Sequence, residues 1–151
     1  LVDSVGKPKV YIATAQAFDE EMRARISLHK KQRGPAWREL EVPFDLVSAL
    51  GALDPGEVAL LDCATLWLSN QLLAEADLEA ECAALIAAIQ GMSADLVIVS
   101  NEVGQGIVPE NALARRFRDA QGRLNQQLAA VADTAVLVAA GLPLVLKGAL
   151  P

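Results

Sequence analysis

The residues best suited to chemistry lie in Arg25-Ile26-Ser27-Leu28-His29-Lys30-Lys31-Gln32-Arg33, a stretch that holds the only histidine of the chain. On a helix, Arg25, His29 and Arg33 fall at i, i+4 and i+8 and share one face, so a guanidinium flanks the imidazole on each side. Nearby positive charge opposes protonation and keeps the ring neutral near pH 7. A neutral ring nitrogen can attack phosphorus, and an imidazolium cannot. Guanidiniums also bind phosphate oxygens in pairs and stabilise charge on a transferring phosphoryl group. The cluster points to a phosphate site with His29 as nucleophile. The competing reading is a core histidine bonded to a backbone carbonyl, with the lysines and arginines solvated or serving the helix C-terminus. The residues alone leave both readings standing.

Carboxylates mark the ends of two apolar runs. Asp62 closes Val58-Ala59-Leu60-Leu61-Asp62. Ligands of open α/β sheets bind beyond the carboxyl ends of the strands. An apolar strand ending in Asp is also the Walker B pattern, whose carboxylate holds Mg²⁺ on a nucleotide. Capping of the following helix is the alternative role for Asp62. Glu102 ends Val97-Ile98-Val99-Ser100-Asn101-Glu102 in the equivalent place, as a second acid at a cleft or as a loop anchor. Glu41 falls on the polar face of its strand, where it is either simply exposed or able to read the N–H groups of a guanine. Thr14 ends a strand and either donates to a phosphate or closes a turn. The glycine-rich loop 103–111 lacks the Gly-Lys-Ser/Thr of a P-loop. Its Gly104 and Gly106 read as allowing a tight turn or a close ligand approach. The helix after it carries Arg115, Arg116 and Arg118, directed at an anionic ligand, a neighbouring subunit or solvent.

These residues need elements to position them. Residues 9–14 form a β-rich run, and 18–33 has a helical period, with Phe18, Met22, Ile26 and His29 on one face, stopped by Gly34-Pro35. Residues 37–42 alternate, with Leu40 and Val42 opposite Glu39 and Glu41. A short helix over 44–50 enters at Pro43, and 58–63 is a continuous apolar strand of the kind found inside parallel sheets. A helical stretch starts near Thr65, breaks near Asp77 and resumes to Gln90, with Gly91 as its stop. Residues 94–102 form another buried strand, and 112–132 a helix with Leu113, Phe117, Leu124 and Leu128 on one stripe, weakened by Gly122. Residues 135–147 read as two strands around Gly141-Leu142-Pro143. Strands alternating with helices predict an α/β fold with a mostly parallel sheet, in a single domain over 1–151.

Composition narrows the function. The chain has 151 residues, 53% of them hydrophobic, enough to bury one sizeable core. Its 13 basic and 19 acidic residues, net charge −6, argue against nonspecific nucleic-acid binding. Cys63 and Cys82 read as buried thiols of a reducing compartment, and no run is long enough to span a bilayer, which together predict a cytoplasmic protein. The front, Leu1 to Val10, reads as the end of a helix, a stop at Gly6 and a strand after Pro8.

Several segments in order resemble one family: Val10–Lys30, Arg33–Trp37, Val58–Leu73, Val99–Ala129 and Val138–Lys147. Together they resemble the bifunctional adenosylcobinamide kinase / adenosylcobinamide-phosphate guanylyltransferase family of cobalamin biosynthesis, over roughly Val10 to Lys147. The resemblance implies a P-loop NTPase-like (RecA-like) fold with helices flanking the sheet. It implies phosphorylation of the aminopropanol hydroxyl of adenosylcobinamide, with ATP or GTP as donor. It further implies transfer of GMP from GTP to adenosylcobinamide phosphate through a GMP–histidine. The guanylylated histidine matches His29. Nucleotide contacts match Ala13, Thr14, Ala15, Lys30, Lys31, Gln32, Arg33, Glu41 and Asp62, with Mg²⁺ at Asp62, and the family tends to form homo-oligomers. The family's P-loop strand and helix, with their Lys and Ser, are expected just upstream of Leu1 and are missing from this chain, so its own kinase step is in question. Two further departures are Leu28, where members often carry a second histidine, and Arg33-Gly34-Pro35-Ala36-Trp37, where the proline of an Arg-Pro-x-x-Trp pattern is displaced by one. The rival readings are a single-activity P-loop small-molecule kinase and a nucleotide-binding or assembly protein without catalysis.

Overall fold

The computed structural model describes residues 2–17 and 20–150, apart from the side chains of Met22, Arg25, His29, Lys31, Gln32 and Arg33. Contacts divide the chain into two compact units, Leu1–Asn101 and Glu102–Pro151.

The first unit begins with a single 3₁₀ turn, Val2–Ser4. It continues through β1 (Lys9–Ala13), α1 (Glu20–Arg33), β2 (Trp37–Glu41), α2 (Leu46–Gly51), β3 (Val58–Asp62), α3 (Ala64–Leu73), α4 (Leu78–Gly91) and β4 (Asp95–Val99). The four strands form one sheet in the order β2-β1-β3-β4, and every pairing is parallel. The expected α/β architecture with a parallel sheet is what the chain adopts. Each strand boundary follows the apolar run that predicted it to within a few residues. The helix after β3 breaks where expected, because Asp77 caps α4 by accepting from the Glu79 and Ala80 amides. Gly91 is the last residue of α4 rather than the residue beyond it.

Alternation along β1 explains the layers. Val10 and Ile12 are fully buried, as are Ala59 and Leu61 beside them in β3. Val58 and Tyr11 on the other face are buried too, as are Leu46, Leu50, Trp67, Leu68 and Leu85 of α2, α3 and α4. Each such leucine stabilises the fold by about 1.5–3 kcal/mol through burial. Trp67 of α3 is 1% exposed and belongs to this core. The opposite face carries Lys9 and Tyr11 of β1 and Trp37, Glu39 and Glu41 of β2. There Tyr11 meets Trp37 edge-on at 6.2 Å.

The second unit holds α5 (Ala112–Val131), β5 (Ala135–Ala139) and β6 (Leu142–Lys147). Asn111 caps α5 by accepting from the Leu113 and Ala114 amides. Of the expected stripe, Leu124 and Leu128 are buried and Phe117 partly so, but Leu113, in the first turn, is exposed. β5 and β6 pair antiparallel across a two-residue turn at Ala140 and Gly141, with φ of 52° and 78°. Two consecutive left-handed residues make the turn whose twist suits a hairpin, which is why glycine stands at 141. Pro143 lies inside β6, opposite Val138, rather than in the turn. Lys147 donates to the Ala129 and Ala130 carbonyls, so the end of β6 neutralises the C-terminus of α5.

Candidate functional site

Register aligns the strand ends. Ala13 of β1 is opposite Glu41 of β2 on one side and Asp62 of β3 on the other, and Asp62 is opposite Val99. From β1 the chain leaves towards β2, and from β3 towards β4, in opposite directions across the sheet. A parallel sheet opens a ligand crevice where neighbouring strands diverge in this way, at their carboxyl ends. In this sheet that place lies between Ala13-Thr14 and Asp62-Cys63.

Asp62 does not cap the helix that follows it. The N-cap of α3 is Cys63, whose side chain makes no capping bond. The Asp62 carboxylate instead accepts a 2.6 Å hydrogen bond from the Tyr11 hydroxyl. Tyr11 and Asp62 lie on the same face of the sheet, since their neighbours Ala13 and Asp62 are in register and Tyr11 is two residues before Ala13. A tyrosine inside an otherwise aliphatic strand was the sequence signal for this partner, and it was not singled out.

Thr14 is fully buried. Its hydroxyl donates to the Cys63 carbonyl and accepts from the Cys63 amide, both at 2.8 Å, and its own amide donates to the Asp62 carbonyl. The Thr14 hydroxyl and amide thus join the end of β1 to the end of β3, which is the turn-closing arrangement. Burial pushes the Cys63 thiol up, as expected of a buried free cysteine.

Three side chains of one face of α3 hold the segment beyond β2. Asn70 donates to the Thr14 and Pro43 carbonyls, each at 2.9 Å, while the Trp67 indole and the Gln71 amide both donate to the Phe44 carbonyl. They stand at i, i+3 and i+4, one stripe of a helix. Sequence reasoning passed over Asn70 and Gln71. Two amides set in a buried apolar helix were the available signal, because buried amides must find partners.

Lys30 carries α1 onto this edge. Its ammonium contacts Glu39 at 2.8 Å and Glu41 at 3.0 Å. The hydrogen bonds that Lys30 donates to Glu39 and then Glu41 hold its ammonium above the ordinary lysine range. Lys30 and Glu41, assigned separately to nucleotide contacts, thus meet each other. Ala15 lies two residues past β1 and is partly exposed. His29, Lys31, Gln32 and Arg33 lie on α1, the first immediately before Lys30, and their side chains fall outside the described residues, as do those of Met22 and Arg25. Phe18 lies outside the described residues altogether.

In the second unit, Glu102 accepts from the Asn125 amide at 2.8 Å, which makes it an anchor of the loop before α5. Arg115 donates back to the Pro109 and Glu110 carbonyls and so closes the same loop. Among the described residues, no group of three or more His, Cys, Asp or Glu gathers to hold a metal, and no helix is long and apolar enough to cross a membrane.

The chain is 43% identical to the bifunctional adenosylcobalamin biosynthesis protein CobU of Escherichia coli (strain K12), over 91% of this chain and 85% of that protein. It is 44% identical to the protein of the same name from Salmonella typhimurium, with the same coverage. It is 42% identical to the bifunctional adenosylcobalamin biosynthesis protein CobP of Pseudomonas aeruginosa, over 91% of this chain and 82% of that protein. Residues 1–146 match the family model described as cobinamide kinase / cobinamide phosphate guanyltransferase, and the chain belongs to that family.

Proposed function

We propose that this protein acts in cobalamin biosynthesis, phosphorylating adenosylcobinamide with ATP or GTP and then transferring GMP from GTP to adenosylcobinamide phosphate through His29. The observation that carries the reading is the attachment of α1, by Lys30, to the strand edge where Ala13, Glu41 and Asp62 stand in register. Residue 29 precedes that attachment point on the same helix.

In the transfer, an unprotonated nitrogen of His29 attacks the α-phosphorus of GTP, the bond to the bridging oxygen breaks, and pyrophosphate leaves with the bonding electrons. An oxygen of the acceptor phosphate then attacks the same phosphorus, the P–N bond breaks, and the histidine is regenerated. Dividing the displacement into two steps is covalent catalysis. The cations at Arg25, Lys31 and Arg33 favour the uncharged ring and gather phosphate oxygens. Asp62, with one oxygen held by Tyr11, suits a magnesium ion, which takes one or two carboxylates and fills its remaining positions with nucleotide phosphates and water. Bound there, the ion would neutralise charge on the nucleotide phosphates. Lys30, held by Glu39 and Glu41, keeps α1 at the edge, and the Thr14–Cys63 clasp and the Asn70 bridge keep the floor of the crevice rigid. A homo-oligomer in the cytoplasm fits the reading.

The test is incubation of the protein with GTP and Mg²⁺ followed by peptide mass analysis. The peptide bearing His29 is expected to gain the mass of one GMP, and the His29→Asn protein to gain none. A GMP adduct persisting in His29→Asn would overturn the assignment. Consumption of ATP without any adduct would favour the single-activity kinase.

A further inference from the structure

Tyr11 is the only tyrosine of the chain, and its place is fixed from two sides. It stands opposite Leu60, so its hydroxyl reaches one pleat further along β3 to bond Asp62 at 2.6 Å. Ala13, directly opposite Asp62, carries only a methyl group and cannot bond that carboxylate. Tyr11 is 7% exposed, and its ring meets Trp37 at 86°. The Lys9 ammonium sits over the Trp37 ring, 5.1 Å from its centroid, and is itself held by Asp3. Packing along the ring and a hydrogen bond at its tip leave the phenol one position, and a fixed phenol fixes the carboxylate it bonds.

The bond makes the two Asp62 oxygens unlike. Oδ2 accepts from the Tyr11 hydroxyl, whereas Oδ1 has no hydrogen-bond partner among the described residues. Neighbouring acids do not add to it. Glu41, on the far side of Ala13, accepts from Lys30, and no group of three or more His, Cys, Asp or Glu gathers among the described residues. A cation at this edge would therefore find one carboxylate oxygen and take the rest of its shell from phosphates and water. That donor set fits magnesium, which is bound through one or two carboxylates and keeps several waters. It fits calcium poorly, because calcium takes about six to eight oxygens and accepts both oxygens of one carboxylate. A two-oxygen grip on Asp62 would cost the hydrogen bond at Oδ2.

We infer that Tyr11 is a positioning residue that makes Asp62 a ligand through one oxygen and so sets the preference of this edge for magnesium over calcium. The inference rests on the reading of Asp62 as the ligand of the nucleotide's metal ion, and it does not need His29 as nucleophile.

The experiment reads binding rather than turnover. The full chain is titrated by calorimetry with a GTP analogue that has a methylene in place of the α,β-bridging oxygen, saturated with either Mg²⁺ or Ca²⁺. The native protein is expected to bind the magnesium form more tightly. Tyr11→Phe keeps the ring against Trp37 and frees Oδ2. The ratio of the two dissociation constants should then shift towards calcium by about threefold or more, the worth of one hydrogen bond to a charged group. Asp62→Asn should bind both forms weakly and alike. A smaller shift in Tyr11→Phe, beside an Asp62→Asn protein that has lost the preference, would overturn the role of Tyr11 alone. An Asp62→Asn protein that keeps the native preference would overturn the reading of Asp62 and the inference with it, as would a native protein that binds both forms alike.

A second readout leaves the sequence intact. Protein made with 3-fluorotyrosine carries its fluorine at Tyr11 alone. Adding Mg²⁺ to the analogue-bound protein should move the fluorine resonance, because the carboxylate that the hydroxyl bonds then shares its charge with the ion. The same addition to Asp62→Asn should leave the resonance in place. A resonance that Mg²⁺ does not move, or moves equally in both proteins, would overturn the inference.

Discussion

The two ends of the four-stranded sheet are built from the same strands in the same register, yet they differ in what they do with charge. At the amino end the row runs Trp37, Lys9, Val58, Asp95. Here cations and carboxylates pair: Lys7 with Asp95, Lys9 with Asp3 and over the Trp37 ring, and Arg38 with Glu57 in a two-pronged contact. The backbone closes this end as well, through Val58 to Pro8 and Asp95 to Glu57. At the carboxyl end the row runs Glu41, Ala13, Asp62, Val99. Asp62 there is bonded by a neutral hydroxyl rather than a cation, a small side chain stands beside it, and α3 begins without a side-chain cap. One end spends its charges on closure, and the other keeps a carboxylate available beside a gap. The difference leaves the carboxylate without a cationic partner at the end of the strands where ligands of open parallel sheets gather.

The comparison breaks most visibly at Asp62. Asp62→Asn still accepts from Tyr11 but no longer offers a full negative charge. Formation of the GMP adduct is expected to fall roughly 10²–10³-fold, in line with the loss of one electrostatic contact in a transition state. Stability, followed by urea denaturation, should change by less than about 1 kcal/mol. A rate within a factor of two of the native protein would show that the carboxyl end is not the ligand end.

Asn70 supports that end without belonging to it. Asn70→Leu is close in size but leaves the Thr14 and Pro43 carbonyls without their donor. The expected cost is about 1–3 kcal/mol, the penalty for buried groups left unsatisfied, read as a lower urea midpoint with unchanged slope. Unchanged stability would mean that those carbonyls find other partners and that the α3 stripe is not what fixes the crevice floor.

Much of this was legible before any coordinates. Apolar runs ending in acids gave β3 and its terminal Asp62, because a buried parallel strand must be continuously apolar and its end is where polarity returns. The apolar stripe over 112–132 gave α5, and the turn expected at Gly141-Leu142-Pro143 keeps only Gly141, since Leu142 and Pro143 belong to β6. Strand order was not legible. Nothing local in residues 9–13 says that they lie between residues 37–41 and 58–62, and only that order puts Glu41 and Asp62 on either side of Ala13. The use of Thr14 was hidden for the same reason. Its partner, Cys63, is 49 positions away. Lys30 looked like one cation among several facing phosphates, and the two carboxylates that hold it come from a strand whose face could be read but whose neighbour on α1 could not.

That Lys30 contact sharpens the comparison further. The double change Glu39→Gln and Glu41→Gln removes both acceptors of charge while keeping shape. Since one partner is exposed to solvent, stability should change by less than about 1 kcal/mol. The KM for GTP should rise roughly threefold to tenfold as α1 loses its tether, a tenfold rise being about 1.4 kcal/mol. A fall in KM would instead mean that the carboxylates compete with the nucleotide for Lys30.

The smallest effect belongs to the amino end and is a matter of pH. The Arg38 guanidinium, joined by the Asp54 amide, holds the Glu57 carboxyl below its ordinary value of 4.5. A carboxyl lowered on folding binds fewer protons when folded than when unfolded. Its contribution is therefore complete above the ordinary value and disappears as pH falls through the lowered one. Arg38→Gln removes the larger cause and leaves the Asp54 amide in place. Native protein and variant should then differ by less than about 1 kcal/mol at pH 7, because the guanidinium is half exposed, and should converge as the pH falls below the ordinary carboxyl value. Urea denaturation at a series of pH values between neutrality and the acid limit measures the convergence. GMP-adduct formation by Arg38→Gln at pH 7 should match the native rate. A difference that widened in acid would show that Glu57 is not held down by Arg38, and a loss of activity approaching that of Asp62→Asn would erase the functional distinction between the two ends of the sheet.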